Sequence, residues 1–258
     1  MEFDANRTGT GTAEWSEHTE NICRGCPNNC LYCYAAHNAN RFKQRTRSEW
    51  DREELTKKAL IPSYPKRKGV VMFPSAHDIT PFNLDAYIRV ARLILQSGNQ
   101  LLIVSKPRID CISTLITALS GFKDQILFRL TIGTMSAKTS KFWEPGAPEP
   151  LERLSSLRLA YLSGYKTSVS MEPLLGGLAD ARAVLSEVCP YVTETIWIGK
   201  MNKIRRRVDM SDPVTVAAVE EIEKAQSDDN ILKMYQELQG NPAIRWKDSI
   251  KEVVTSIS

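Results

Sequence analysis

Short apolar runs alternate with amphipathic helical patterns along most of this 258-residue chain, and that alternation restricts the fold more than any other feature. Val70–Phe73 precedes a pattern that Asn83 can cap and that runs to Ser97, where Gly98-Asn99 stops it. Leu101–Val104 leads into a pattern from Ile109 to Leu119, and Ile126–Ile132 into one from Pro150 to Ser163. Thr167–Met171 is followed by Leu178–Val188, and Val192–Ile198 reads as the last strand. With a weakly marked strand around Ala13–Asn21, six βα units result. Strands alternating with helices indicate a parallel sheet. Six units are too few to close an eight-stranded barrel. A partial barrel and a doubly wound open sheet both satisfy this periodicity.

Beyond about Asp209 the pattern changes. Val214–Ala225, Asn230–Leu238 and Trp246–Ile257 are helical in periodicity, with no strand expected between them. The expected division is therefore a βα domain over residues 1–208 and a C-terminal helical extension, 209–258, packed on it. Hydrophobic residues make up 42% and charged residues 25%, an ordinary globular balance. No apolar run approaches the ~18–20 residues needed to span a bilayer. The first thirty residues carry no basic–apolar leader. No membrane association is expected, and the expected compartment is the cytoplasm.

Four of the six cysteines, Cys23, Cys26, Cys30 and Cys33, fall within one short segment. Without a leader, clustered thiols indicate metal or redox chemistry rather than disulfides. Cys111 and Cys189 lie alone in buried-looking patterns and are expected to be small core residues. Cys26, Cys30 and Cys33 form C-x3-C-x2-C, whose thiolates can converge on one cluster. A cubane cluster has four irons, each normally held by one thiolate. Three local ligands leave one iron open for a substrate or cofactor, much as catalytic zinc sites keep a vacant position. A four-thiolate zinc knuckle and an electron-transfer cluster, each using Cys23 as well, are the alternatives. The spacing argues against the knuckle, since structural zinc sites separate their two pairs more widely.

This triple-Cys spacing, with the aromatic Tyr32 before the third cysteine, resembles the signature of the radical S-adenosylmethionine (SAM) superfamily. The resemblance implies a partial (β/α)6 TIM-type barrel, a [4Fe-4S] cluster on Cys26, Cys30 and Cys33, and SAM chelated to the open iron. It also implies reductive cleavage of SAM to a 5′-deoxyadenosyl radical, and an external electron donor such as flavodoxin or ferredoxin. A closer resemblance, over about residues 20–200, is to the spore photoproduct lyase-like branch. It rests on Gly25-Cys26 through Tyr34-Ala35, on Glu144-Pro145-Gly146-Ala147-Pro148 with Glu152-Arg153-Leu154, and on Ser168-Val169-Ser170-Met171-Glu172-Pro173.

Active sites on parallel βα architectures gather at the C-terminal ends of strands. Those ends supply His77, Asp78, Lys106, Arg129, Thr131, Ser170 and Glu172, which with Tyr32 are the candidate cofactor-binding residues. By resemblance, Lys106 and Thr131 match positions that hold the SAM carboxylate, and His77 matches a polar SAM contact. The Gly-Gly-Glu element widespread in the superfamily is absent after the second strand. Spore photoproduct lyases carry a hydrogen-donating cysteine where this chain has Ser75, whose O–H bond is too strong for the same task. Thymine-dimer repair by that route is therefore not expected, and no catalytic residue is assigned.

The formal net charge is only +4, but it is unevenly spread. Residues 41–68 hold ten basic and four acidic side chains, and Lys200–Arg207 holds five basic ones and no acid. The second run directly follows the last expected strand, so it would rim the site and favour an anionic substrate, nucleic acid included. Pairing of Arg205–Arg207 with the acids around Glu220–Glu223 is the plainer reading. A peptide- or protein-modifying radical enzyme and a non-catalytic iron–sulfur or zinc protein are the other function classes.

Overall fold

The computed structural model describes Phe3 and residues 9–257. Its strands are β1 (His18–Thr19), β2 (Cys23–Arg24), β3 (Glu54–Leu55), β4 (Val70–Met72) and β5 (Gln100–Ser105). They continue with β6 (Ile126–Thr131), β7 (Lys166–Met171), β8 (Ile196–Ile198) and β9 (Ile244–Trp246). The helices are α1 (Tyr34–Arg41), α2 (Leu84–Gln96), α3 (Ile109–Ala118), α4 (Ala137–Trp143) and α5 (Pro150–Leu162). After them come α6 (Leu178–Val188), α7 (Pro213–Ala225), α8 (Asp228–Leu238) and α9 (Asp248–Ile257).

Seven strands form one parallel sheet in the order β1-β4-β5-β6-β7-β8-β9, a half-barrel with helices around it. β4, β5 and β8 are near-continuous apolar runs because both faces are covered, whereas β7 is buried beyond Lys166 but largely polar. β6 is buried at every position. Outward residues pack under the helices: Tyr87 and Ile94 of α2 join Val71, Leu101 and Ile103 in the main core. Inward residues alternate with them. Trp15, Met72, Leu102, Leu127 and Trp197 fill the base of the barrel interior as a separate cluster. The same alternation brings Val104, Thr131 and Glu172 inward higher up, onto the wall of one cavity. No helix among the described residues is long and apolar enough to cross a membrane.

The six expected strands are present, with two differences. The first is short: residues 11–14 form a 3-10 turn and only His18–Thr19 pair, with β4. The Glu17 carboxylate accepts from the Val70 backbone N–H at 2.8 Å, so a side chain takes a donor that a longer strand would have used. The second difference corrects the sequence reading of the C-terminal part. Ile198 is not in the last strand, because β9 adds a seventh, parallel to β8, from within what was read as a purely helical segment. Three residues after Pro242 carry too little alternation to register as a strand. Cys189 also departs from expectation: Cys111 is buried, but Cys189 is exposed. The chain leaves the helix at Val188, so residue 189 no longer follows the buried stripe.

Lys247, directly after β9, locks this seventh strand into the barrel. Its ammonium is buried, 2.6 Å from Glu14 Oε1 and 3.2 Å from Glu172 Oε2, and donates to the Gly11 carbonyl at 2.6 Å. It also lies over the Trp15 ring. Removing one partner of a buried ion pair leaves the other desolvated and unpaired. Lys247→Ala is expected to lower unfolding stability by roughly 3–5 kcal/mol, measured by denaturant titration. Lys251→Ala, which removes an exposed partner of Asp248, is expected to leave the midpoint near that of the parent.

Candidate functional site

The loop of residues 25–33 is fixed from several sides before any ligand is considered. Gly25 has φ +88°, and a Cβ there would stand 2.0 Å from the Arg52 carbonyl oxygen, so only glycine fits. The Cys26 N–H donates to the Trp50 carbonyl at 2.7 Å, and the Leu31 N–H to the Trp143 carbonyl at 2.9 Å. The Arg47 guanidinium donates to the Cys30 carbonyl at 2.8 Å and the Asn29 carbonyl at 3.1 Å. Cys33 is the N-cap of α1, its Sγ accepting from the Ala36 N–H at 3.4 Å.

Asn28, buried between the first two cysteines, joins this loop to the barrel. Its Nδ2 donates to Asp78 Oδ2 at 2.8 Å, and its Oδ1 accepts from Arg108 at 2.9 Å. Asp78 in turn accepts from Ser105 Oγ at 2.9 Å and from the Lys106 N–H at 2.6 Å, with the Cys26 thiol 3.7 Å away. Burial pushes the Asp78 pKa up, but the Lys106 charge and these hydrogen bonds outweigh it and hold the carboxyl below its usual range.

A second buried network stands behind Tyr32. The Tyr32 O–H donates to Glu144 Oε1, and Glu144 Oε2 meets the Arg153 guanidinium at 2.5 Å. The Lys106 ammonium is 3.8 Å from Glu144 and lies over the Tyr32 ring. Burial pushes the Lys106 pKa down, but the acidic groups around it more than offset this and keep it charged. Two residues on, the Gly146 N–H donates to the Asn28 carbonyl, and a Cβ on Gly146 would stand 2.0 Å from the Pro27 oxygen. The segment beginning at Glu144 thus buttresses the cysteine loop.

Cys26, Cys30 and Cys33 open onto one cavity of about 470 Å³ at the C-terminal ends of the strands. Tyr32, His77, Asp78, Lys106, Thr131 and Glu172 line it as well. Its size is that of a small-molecule site. Burial pushes the Cys26 thiol well up and the Cys30 thiol to about 12, and the neighbouring cysteines add to the rise at both. Lys106 pulls the Cys30 thiol the other way, but burial outweighs it, and three free thiols on one wall suit a cationic group that would take them as thiolates. Among the described residues, no three His, Cys, Asp or Glu side chains are grouped to hold a single metal ion. A cubane differs from one ion in spreading its thiolates over separate irons. Cys23 lies apart on β2, within 3.9 Å of Glu53 and off the cavity wall, so the four cysteines are not brought together.

The remaining candidates fall elsewhere. Arg129 lies deeper, between the Trp15 and Trp197 rings at 5.0 and 5.2 Å, and donates to Ser168 Oγ at 3.0 Å. Ser170 shares a 2.9 Å hydrogen bond with Thr131 but is not on the wall. His77 is on the wall, yet both ring nitrogens are engaged by backbone: Nδ1 with the Asp78 carbonyl at 3.0 Å, Nε2 with the Ile22 N–H at 3.3 Å. Much of the basic run 41–68 serves locally, as in Arg45–Glu54 and Lys58–Glu20. In the second run Arg205 pairs with Glu223 and Lys200 with Asp228, while Arg207 reaches the cavity. Asn28, Arg108, Glu144 and Lys247 were not foreseen. Asn28 lies inside the cysteine motif and Glu144 heads a motif already noted, whereas Lys247 carries no local signal.

No family model matches the sequence. The chain is 28% identical over 172 residues to an uncharacterized protein of the Acidianus two-tailed virus, covering 60% of this chain and 54% of that one. It therefore spans about half the length of the curated relative it matches. Among solved structures it is similar to spore photoproduct lyase complexed with dinucleoside spore photoproduct. That match has a TM-score of 0.57 at 13% identity over 90% of this chain and 76% of the other. It is also similar to SuiB of Streptococcus suis bound to S-adenosylmethionine, with a TM-score of 0.51 at 8% identity over 86% and 48% of the two chains. SuiB bound to its precursor peptide SuiA gives 0.52 at 8% identity over 73% and 40%. Both neighbours are radical SAM enzymes, and the likeness is one of fold.

The His77 environment has a measurable consequence. Burial pushes its pKa below the ordinary 6.5, so the fold favours the neutral ring. A depressed folded pKa gives stability that is present above about 6.5 and drains as pH falls from there towards the folded value, by up to about 1.4 kcal/mol per pH unit. The parent is expected to lose stability more steeply between pH 7 and 5 than His77→Gln, as read from denaturation midpoints across that range.

Proposed function

We propose that this chain is a radical SAM enzyme whose reaction takes place in the cavity at the strand ends. The observation that carries the reading is the convergence of Cys26, Cys30 and Cys33 on the same cavity wall as a charged Lys106. When bound, the cluster and SAM together supply a 5′-deoxyadenosyl radical, formed by one-electron cleavage of SAM, which abstracts hydrogen from a substrate. Cys26, Cys30 and Cys33 would each hold one iron and leave the fourth open.

The chain's own groups do the binding and orienting. Lys106, held by Glu144 and Tyr32, offers a charge-assisted hydrogen bond to the SAM carboxylate. Thr131 adds a hydroxyl from the neighbouring strand. Asp78 keeps the cysteine loop and the Lys106 backbone in one frame, which fixes the distance between cluster site and carboxylate site. The Trp15 and Met72 side chains close the cavity floor against water. An external one-electron donor such as flavodoxin or ferredoxin is part of this reading. Spore photoproduct lyase and SuiB act with very different partners, so the fold does not choose the substrate.

Anaerobic reconstitution with iron and sulfide, followed by SAM and dithionite, is expected to yield 5′-deoxyadenosine from the parent and none from Cys30→Ala. About four irons per parent chain are expected. A parent that holds one zinc and leaves SAM intact overturns the reading. Lys106→Met in the reconstituted protein is expected to weaken SAM binding about 10–100-fold, the worth of a hydrogen bond to a charged group, as measured by equilibrium dialysis.

A further inference from the structure

Lys106, Lys200 and Arg207 are the lysine and arginine side chains on the cavity wall among the described residues. Two of them have partners: Lys106 has Glu144 at 3.8 Å and Lys200 has Asp228 at 3.3 Å. The Arg207 guanidinium makes no hydrogen bond or ion pair with any described residue, and it is half-buried. Cys33, Tyr34 and Glu172 face it. Glu172 attracts it but makes no ion pair with it, the carboxylate being paired instead with Lys247. Its nitrogens are not among the buried polar atoms left without a partner, so its fork of donors reaches the cavity opening and is free to take a ligand.

The segment that carries Arg207 is held in place by the C-terminal elements. The Lys200 N–H donates to Ser249 Oγ at 3.0 Å, and the Met201 N–H to Gln226 Oε1 at 2.8 Å. Gln226 is fixed in turn by the Leu174 carbonyl at 2.8 Å. Met201 and Ile204 are buried against Val219 and Ile222 of α7. Asn202, on the same turn, also reaches the cavity wall. The guanidinium and this amide are thus presented on a pre-set turn rather than a loose loop, which lowers the ordering cost of binding.

We propose that Arg207, with Asn202 on the same cavity wall, forms an oxyanion subsite that takes a phosphate or carboxylate group of the substrate. The planar fork of arginine matches either group. The assignment rests on reading this cavity as the reaction site and adds the chemical class of what enters it.

The test uses the full chain without cluster or SAM, so its outcome is separate from whether SAM is cleaved. Pyrophosphate and succinate are titrated in parallel at fixed ionic strength, with binding followed by calorimetry. The parent is expected to bind at least one of them, pyrophosphate if the substrate group is a phosphate and succinate if it is a carboxylate. Arg207→Gln is expected to weaken that binding about tenfold or more. Arg206→Gln, an exposed neighbour off the cavity wall, is expected to bind as the parent does. Arg207 holds no other described residue, so its variant is expected to keep the parent's thermal midpoint. Binding of neither probe by the parent, or equal binding by parent and Arg207→Gln, overturns the proposal. So does an Arg207→Gln protein that, once reconstituted, changes only SAM affinity or cluster potential, since the guanidinium would then serve the cofactor.

Discussion

One buried carboxylate ties the cysteine loop to the barrel. Asp78 lies at the end of β4 and accepts from Asn28 inside the loop and from Ser105 and the Lys106 backbone at the end of β5. Each bond is to an ionised acceptor shielded from water, where such bonds are stronger than neutral ones. Other bonds hold the loop to Trp50, Trp143 and Arg47, but Asp78 is the group that joins it to the ends of the β4 and β5 strands. With it, the positions of Cys26 and Lys106 are set by the same four atoms of one side chain.

Around that anchor the interior is unusually rich in charge, and its stability depends on complete pairing. Glu144 is shared by Tyr32, Lys106 and Arg153, and Lys247 is shared by Glu14 and Glu172. Arg129 is enclosed between two tryptophans, whose ring faces favour a cation. These groups contribute less to net stability than well-packed apolar ones would. What they provide is a polar wall at fixed positions around the cavity. Against this pattern of satisfied charge, Arg207, without a hydrogen-bond or ion-pair partner among the described residues, stands out on the same wall.

What the sequence made legible is what depends on neighbours along the chain. The α2 and α6 boundaries follow from an apolar stripe and a local stop, and both were predicted to within a residue. The cysteine triad was legible because its spacing is short. Strand β9 was not, since three residues hold no periodicity and its partner β8 lies far back in the chain. Arg129 was assigned to the cofactor as a polar residue near the C-terminal end of a strand. Alternation gives the face but not the depth, and Arg129 lies one layer below Thr131, at the level of the tryptophans. The triad of Glu14, Glu172 and Lys247 spans more than two hundred residues, and nothing local marks it.

That triad also imposes an order on biosynthesis. Strands β1 to β8 can pair as they leave the ribosome, because each lies beside one already made. Glu14 and Trp15 reach their buried partner only when Lys247 has emerged, late in the chain. Until then Glu14 and Glu172 lack the ammonium they share, and the seam beside β8 stays unpaired. A chain interrupted before that point would hold every cysteine, yet Glu14 and Glu172 would lack the ammonium that joins them across the sheet.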